Sequence, residues 1–242
     1  MPLTFSLLHS RIPFLFSNAI ALHIALTSPN GPPSQSEKDA AKYDRGEQIY
    51  ANIQTWLPLY NTLLIATVTL AESAAILRAI APDSALATLL PAWIPALHSK
   101  PTPLFLLGWA VATAGAALRV ACYRAMGRMF TFELSIRKDH ALVTRGPYAW
   151  VRHPSYTGFL MFMGGVWLCQ LCPGALVGGW IGGLGLGTRK VLGTMAAVVA
   201  VMDVMATVKR MDKEDNMLKG EFGQTWEEWA KKVPARLVPF VF

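Results

Sequence analysis

Long runs without charge alternate along this chain with short polar, basic stretches. Residues 5–28 are mostly apolar, with Arg11 near the start, and read as a first span rather than a cleaved leader, because no small-x-small cleavage site follows. Residues 29–52 are polar and read as a loop. A second span is expected over 54–77, with Glu72 in its last turns. Residues 82–98 are short, apolar and interrupted by Pro91 and Pro95, so they either cross as a kinked helix or re-enter the bilayer. A further span is expected over 103–126. The segment 127–153 is polar and basic, 154–188 contains no Asp, Glu, Lys or Arg, and 191–208 is again apolar apart from Asp203. A helix crosses a bilayer in about 20 residues, so 154–208 fits two spans joined by a Gly-rich turn near 182–190. The pattern predicts an all-α integral membrane protein of about six transmembrane helices. Residues 1–127 would form an N-terminal bundle of about four spans. Residues 128–242 would form a C-terminal core of a polar loop, a helical hairpin over 154–208 and a charged tail.

Composition supports this reading: 53% of the 242 residues are hydrophobic and 15% charged, against about 25% charged in an ordinary soluble domain. The net charge of +7 invites a nucleic-acid reading, which the placement of the charges removes. Segment 119–152 holds seven Lys/Arg against two acids, and seven more Lys/Arg follow residue 208. Basic residues beside apolar runs mark cytoplasmic loops, and no basic-aromatic groove accompanies them. Cys122, Cys169 and Cys172 lie in apolar surroundings. The second pair of Cys or His that a zinc site requires is missing, so no metal is expected and the cysteines read as small buried residues.

The chemistry is concentrated in His140-Ala-Leu-Val-Thr-Arg-Gly-Pro-Tyr-Ala-Trp-Val-Arg-His-Pro-Ser-Tyr-Thr-Gly158. Gly146-Pro147 and His153-Pro154 impose turns, because the residue before proline is driven out of the helical region. Proline suits the first turn of a helix, so Pro154 should open the hairpin with His153 at its cap. The positive end of that helix favours an anionic group. Beyond the last span, Arg210 and Glu214 stand four apart and share a face if helical. That spacing also suits an ordinary surface ion pair, worth a few tenths of a kcal/mol.

The segments LVTRGPYAWVRHPSYTGF and RMDKEDNML, followed by FGQTWEEWAKKVPARLVPF, resemble the C-terminal half of the isoprenylcysteine carboxyl methyltransferases over roughly residues 138–242. The resemblance implies a protein-S-isoprenylcysteine O-methyltransferase of the endoplasmic reticulum membrane, multi-pass, with its cofactor-binding segments facing the cytoplasm. Its methyl donor would be S-adenosylmethionine. Its substrates would be CaaX-processed proteins ending in farnesyl- or geranylgeranyl-cysteine, reached from the membrane lipid. It carries His140, Leu142, Val143, Gly146, Tyr148, His153, Pro154, Tyr156 and Glu214 to the cofactor pocket, with His153 toward the donor's carboxylate. Arg210 and Glu214 are carried over as catalytic, Arg210 holding the acceptor carboxylate. Two positions depart from the family pattern: Trp226 and Trp229 stand where a Tyr pair is usual, and Glu214-Asp215 stands where paired Glu is usual. Two other readings stay open at this level, a methyltransferase acting on a phospholipid amine and a non-enzymatic membrane transporter or scaffold.

Overall fold

The computed structural model describes residues 10–34, 37, 45–85, 88, 97, 100–137 and 140–240, and all regular structure among them is helical. In chain order the main helices are α1 (Ile12–Leu26), α2 (Arg45–Ile80), α3 (Pro103–Met126), α4 (Pro154–Leu171), α5 (Leu176–Gly183), α6 (Leu186–Phe222) and α7 (Gln224–Lys232). Single turns of tighter helix cover Gly127–Met129 and Gly146–Ala149.

Three helical segments are long and apolar enough to cross a membrane: Leu59–Ile80, Pro103–Met129 and Leu186–Phe222. A fourth span results if α4 and α5, bent by 55° at their junction, count as one. At 15 residues α1 falls short, and most of 82–98 lies outside the described residues. The six expected spans are therefore not all present among the described residues. The hairpin is also more broken than expected. Its turn falls at Leu184–Gly185, inside the predicted stretch, but its first arm already breaks at Cys172–Ala175. Pro173 has no N–H to continue the ladder, and Gly174 takes a φ of +83°, open to glycine at no steric cost.

The chain divides into two compact units. One combines Met1–His23, Leu59–Ala114 and Met161–Val191; the other combines Ile24–Pro58, Gly115–Leu160 and Leu192–Phe242.

The first unit packs Leu15, Ala75, Ile76, Leu97 and Phe105 with Cys169, Cys172, Ala175 and Leu176. Inside it Arg11 is fully buried and lies 2.6 Å from the equally buried Glu72 carboxylate. Its Nη1 donates to the Gly174 carbonyl at 2.6 Å, and the guanidinium lies 4.3 Å from the Phe105 ring centroid. An isolated charge here would be prohibitive; the pair and the carbonyl make it tolerable. The same unit brings α3 and α4 into backbone contact. A Cβ on Gly165 would collide with Ala112 N and Gly108 O, the small-residue approach expected between apolar helices.

The second unit packs Cys122, Tyr123, Phe130, Tyr148, Trp229 and Val233. It also receives most of α6. At 37 residues α6 runs roughly 55 Å at about 1.5 Å per residue, well beyond a bilayer core of about 30 Å. Its first half exposes Val191, Met195, Val198, Val201 and Met202, as a helix facing lipid does. Its second half buries Thr207, Arg210, Met211 and Asp215, a stripe at helical spacing.

Glycine packing in α4 is directly testable. Gly165→Ala should lower stability by about 1–3 kcal/mol through overpacking, whereas Gly164→Ala, which meets nothing within 4 Å, should stay within about 0.5 kcal/mol. Thermal unfolding in detergent measures both.

Candidate active site

The motif loop is built as its turn residues require. Gly146 adopts φ +63°, a region that penalises any side chain, and Pro147 sits in the first turn of the short helix that follows. This turn puts Tyr148 inward, where it is buried, and leaves Trp150 exposed. The Tyr148 hydroxyl donates to Met126 Sδ at 2.9 Å, and its carbonyl accepts from Trp229 Nε1 at 3.3 Å. Trp229 thereby ties α7 to the loop through its indole N–H. Leu142, Val143 and Trp226 pack against the same aromatic cluster.

Pro154 opens α4 as predicted, fully buried, with His153 before it. The backbone there is bound by the C-terminal strap: Arg152 N donates to Ala235 O and His153 N to Arg236 O, each at 2.9 Å. Thr157 Oγ1 donates to Leu237 O at 2.7 Å. The buried His153 ring faces two carboxylates, with Nε2 3.1 Å from Asp215 Oδ1 and Nδ1 3.7 Å from Glu214 Oε2. Asp215 Oδ2 lies 3.5 Å from Arg152 Nη2 and 3.6 Å from Arg236 Nε. Asp215 therefore joins α6, the start of α4 and the strap.

Arg210 and Glu214 lie on continuous helix in α6, so they share a face. Arg210 is only 8% exposed. Its Nε donates to the Tyr156 hydroxyl at 3.0 Å, and Nη2 donates to the Phe132 carbonyl. It is no solvated surface charge. The Tyr156 ring also lies 5.7 Å from that of His153.

His140 stacks near Phe222, the last residue of α6, at 5.8 Å, and its Nδ1 accepts from the Arg137 N–H at 3.4 Å. Burial holds its pKa below the ordinary value, partly offset by the carboxylates of Glu221 and Glu214. Burial likewise pushes the Tyr148 hydroxyl well up, with Glu214 contributing in the same direction. Glu214 thus acts electrostatically on His140 and Tyr148 and lies beside His153. Leu142, Val143, Tyr148 and Trp226 thus belong to one aromatic and aliphatic cluster, while Arg210, Tyr156, His153 and Glu214 form a chain of polar and ring contacts.

Sequence reasoning missed Asp215 as an anchor, having read it only as a departure from paired Glu. It left Arg152 undecided and gave no role to Phe132, Arg236 or Arg119. Asp215 follows Glu214 directly, which was the one available hint. The others lie too far along the chain to be linked without the fold.

Comparison with known proteins now bears on this arrangement. The model of the isoprenylcysteine carboxyl methyltransferase (ICMT) family matches residues 107–178. The likeness is to the isoprenylcysteine carboxyl methyltransferases. The match takes in α3, the motif loop and α4, so it reaches further toward the N-terminus than the motifs suggested, and it stops before Arg210. The chain is 33% identical over 129 residues to protein-S-isoprenylcysteine O-methyltransferase B of Arabidopsis thaliana, covering 52% of this chain and 55% of the relative. It is 31% identical over 125 residues to protein-S-isoprenylcysteine O-methyltransferase of Schizosaccharomyces pombe, covering 50% and 44%. A shorter stretch of 73 residues is 37% identical to the Saccharomyces cerevisiae protein of the same name, covering 29% and 30%. The chain spans about half the length of the curated relatives it matches. No solved structure matches it.

Two outcomes follow from the site's electrostatics. Asp215→Ala removes the carboxylate nearest His153 and Arg152, leaves Arg236 with Asp212 at 2.7 Å, and should cost about 3 kcal/mol, the low end of the range for breaking a buried pair. Limited trypsin digestion should then cut faster at Lys231, Lys232 and Arg236 than in the parent. His140 has a folded pKa below its unfolded value of 6.5, so the unfolded chain takes up more protons as pH falls through that value. Stability should therefore decline below about pH 6.5, and His140→Gln should flatten that decline in unfolding curves measured from pH 7.5 to 5.

Proposed function

We propose that this chain is an S-adenosylmethionine-dependent methyltransferase that esterifies the C-terminal carboxylate of a prenylated cysteine on CaaX-processed proteins. The observation that carries the reading is Arg210, buried and held by Tyr156 and the Phe132 carbonyl, beside Glu214 and an aromatic wall. The likeness to named isoprenylcysteine methyltransferases supports it.

The residues present fit the donor. Leu142, Val143, Tyr148 and Trp226 offer an apolar, aromatic surface for a purine. Trp226 Nε1 is buried without a hydrogen-bond partner among the described residues, a donor suited to an acceptor atom of a ligand. Glu214 can receive ribose hydroxyls or face a cationic amino group, and His140 supplies a further polar edge. When bound, the donor would supply a methyl group on positively charged sulfur, which passes to a carboxylate oxygen as the C–S bond breaks and its electron pair stays on sulfur.

The acceptor is already ionised at neutral pH, so the chain needs no general base. Its work is alignment and exclusion of water, both effective on such a step. In this reading Arg210 grips the carboxylate through the geometry that guanidinium and carboxylate share. Tyr156 and Phe132 fix the direction of Arg210. Asp215 positions His153 and closes the strap over the start of α4. Gly146 and Pro147 shape the loop, and Pro154 sets where α4 begins. The C-terminal part thus carries the site, while the apolar helices of the N-terminal part supply the bundle and lipid-facing surface. The basic segments 119–152 and 209–242 would face the cytoplasm from the endoplasmic reticulum membrane, following the positive-inside rule.

Purified chain in lipid should transfer labelled methyl from S-adenosylmethionine to N-acetyl-S-farnesylcysteine, giving a base-labile ester. Transfer to phosphatidylethanolamine alone would replace this reading with a phospholipid amine methyltransferase. Arg210→Ala should lower transfer by roughly 100-fold or more, as when a donor aimed at reacting charge is removed. Binding of S-adenosylhomocysteine should stay close to that of the parent. Equal loss of binding would place Arg210 on the donor instead.

A further inference from the structure

Arg11 and Arg119 are both buried, and they are treated differently. Arg11 has Glu72 at 2.6 Å. Arg119, inside the candidate span Pro103–Met129 and 6% exposed, has only neutral partners. Its Nε donates to Ala25 O at 2.6 Å and to the Tyr123 hydroxyl at 3.1 Å. Its Nη1 donates to Ser155 O at 3.1 Å and Ser155 Oγ at 3.3 Å. Its Cζ lies 5.1 Å from the Phe132 ring centroid and 5.6 Å from those of Tyr123 and Phe159. No carboxylate among the described residues pairs with it, and its Nη2 makes no hydrogen bond among them. Ring faces and carbonyls soften a buried cation without neutralising it. A charge kept in a span without a counter-ion is the mark of a site that receives one.

Acids of this unit have other contacts: Asp215 with His153, Arg152 and Arg236, Glu214 beside His153, and Glu133, next to Phe132, with an interaction of its own. Arg119 and Arg210 meet at shared residues. The Phe132 ring lies under Arg119 while its carbonyl accepts from Arg210. Ser155 accepts from Arg119, and the next residue, Tyr156, from Arg210. Gly158 completes the setting, since a Cβ there would stand 2.9 Å from Arg119 Cγ and 2.7 Å from Gly115 O. Helix α4 therefore presses on the stem of Arg119 and limits where its guanidinium can point.

We infer that Arg119 is a specificity-determining residue, whose free Nη2 edge receives the carboxylate of the lipid-linked acceptor as its missing counter-ion, next to Arg210. The inference rests on the carboxyl-methyltransferase reading above and names the group that selects the acceptor. An ionised carboxylate is drawn to this place, while a protonated amine is repelled by it. The rings of Phe132 and Phe159 suit the apolar chain that such a carboxylate brings with it.

The test uses the full chain in lipid nanodiscs, with Arg119→Gln and Arg119→Lys. N-acetyl-S-farnesylcysteine serves as acceptor, and its carboxamide, which carries no charge, serves as competing inhibitor. The parent should bind the acid form far better than the amide. Arg119→Gln should raise the KM for the acid by about tenfold or more, the weight of a charge-assisted pair, and remove the preference for acid over amide. Arg119→Lys should restore part of both. Affinity for S-adenosylhomocysteine, measured calorimetrically, should stay within about twofold throughout. An unchanged KM and unchanged acid preference in Arg119→Gln would overturn the inference while leaving the reaction standing. So would a matching fall in S-adenosylhomocysteine affinity in a chain that folds. If Arg119→Gln binds no S-adenosylhomocysteine at all, Arg119→Lys decides, and unaltered acid preference there together with unaltered KM counts against the inference. A parent chain that methylates no prenylcysteine sinks the carboxyl-methyltransferase reading and this inference with it.

Discussion

Asp215 sits buried where α6, the start of α4 and the C-terminal strap meet, and a carboxylate is tolerable there only because charged and polar groups surround it. His153 takes one oxygen at 3.1 Å, while Arg152 and Arg236 approach the other. Arg152 and His153 stand together before α4 and Arg236 lies in the strap, so neutralising one charge on α6 orients three segments at once. The strap is then held further by the backbone N–H groups of Arg152 and His153 and by the Thr157 hydroxyl. The direction of the motif loop, the position of Glu214 one residue earlier and the burial of Tyr148 under Trp229 depend on that junction.

The same requirement, that charge inside an apolar protein be met, runs through the rest of the molecule. Arg11 and Glu72 meet it by pairing with each other, and Arg11 braces the broken first arm of the hairpin through Gly174. Arg210 meets it in part through a hydroxyl and a carbonyl. Arg119 hydrogen-bonds only to neutral groups, and a ligand's carboxylate is the counter-ion proposed for it. Polar groups that are costly to bury are retained here because they set direction in a core of otherwise interchangeable aliphatic and aromatic side chains.

Helix α6 shows how one continuous element serves both membrane and site. Its exposed Val and Met residues are followed without a break by the inward stripe of Thr207, Arg210, Met211 and Asp215. No turn separates the last span from the charged tail, so the position of Arg210 is held by helix rigidity rather than by a loop. The glycines of α4 extend this logic to packing. At Gly165 and Gly158 the helix backbone comes close enough to α3 to exclude any side chain, and at Gly158 the neighbour it presses on is the stem of Arg119.

Hydropathy and local turn chemistry were enough to read the helical membrane class, the helices at 103–126 and from 154 onward, and the start of α4 at Pro154, because each depends on short-range patterns. The same was true of Arg210 with Glu214 on one helical face, whereas His140, Tyr148, His153 and Tyr156 were singled out by the resemblance of their motif. The break at Pro173-Gly174 was present in the sequence but hidden by an uninterrupted apolar run. What only tertiary structure decided was which charge meets which. Asp215 reaches Arg236 from 21 residues away, Arg119 reaches Ser155 across 36, and Arg11 reaches Gly174 across 163. Sequence alone determined that these charges had to be buried or placed at a surface. The choice of partners follows from the cost of burying each one, which has no value until the fold has put them side by side.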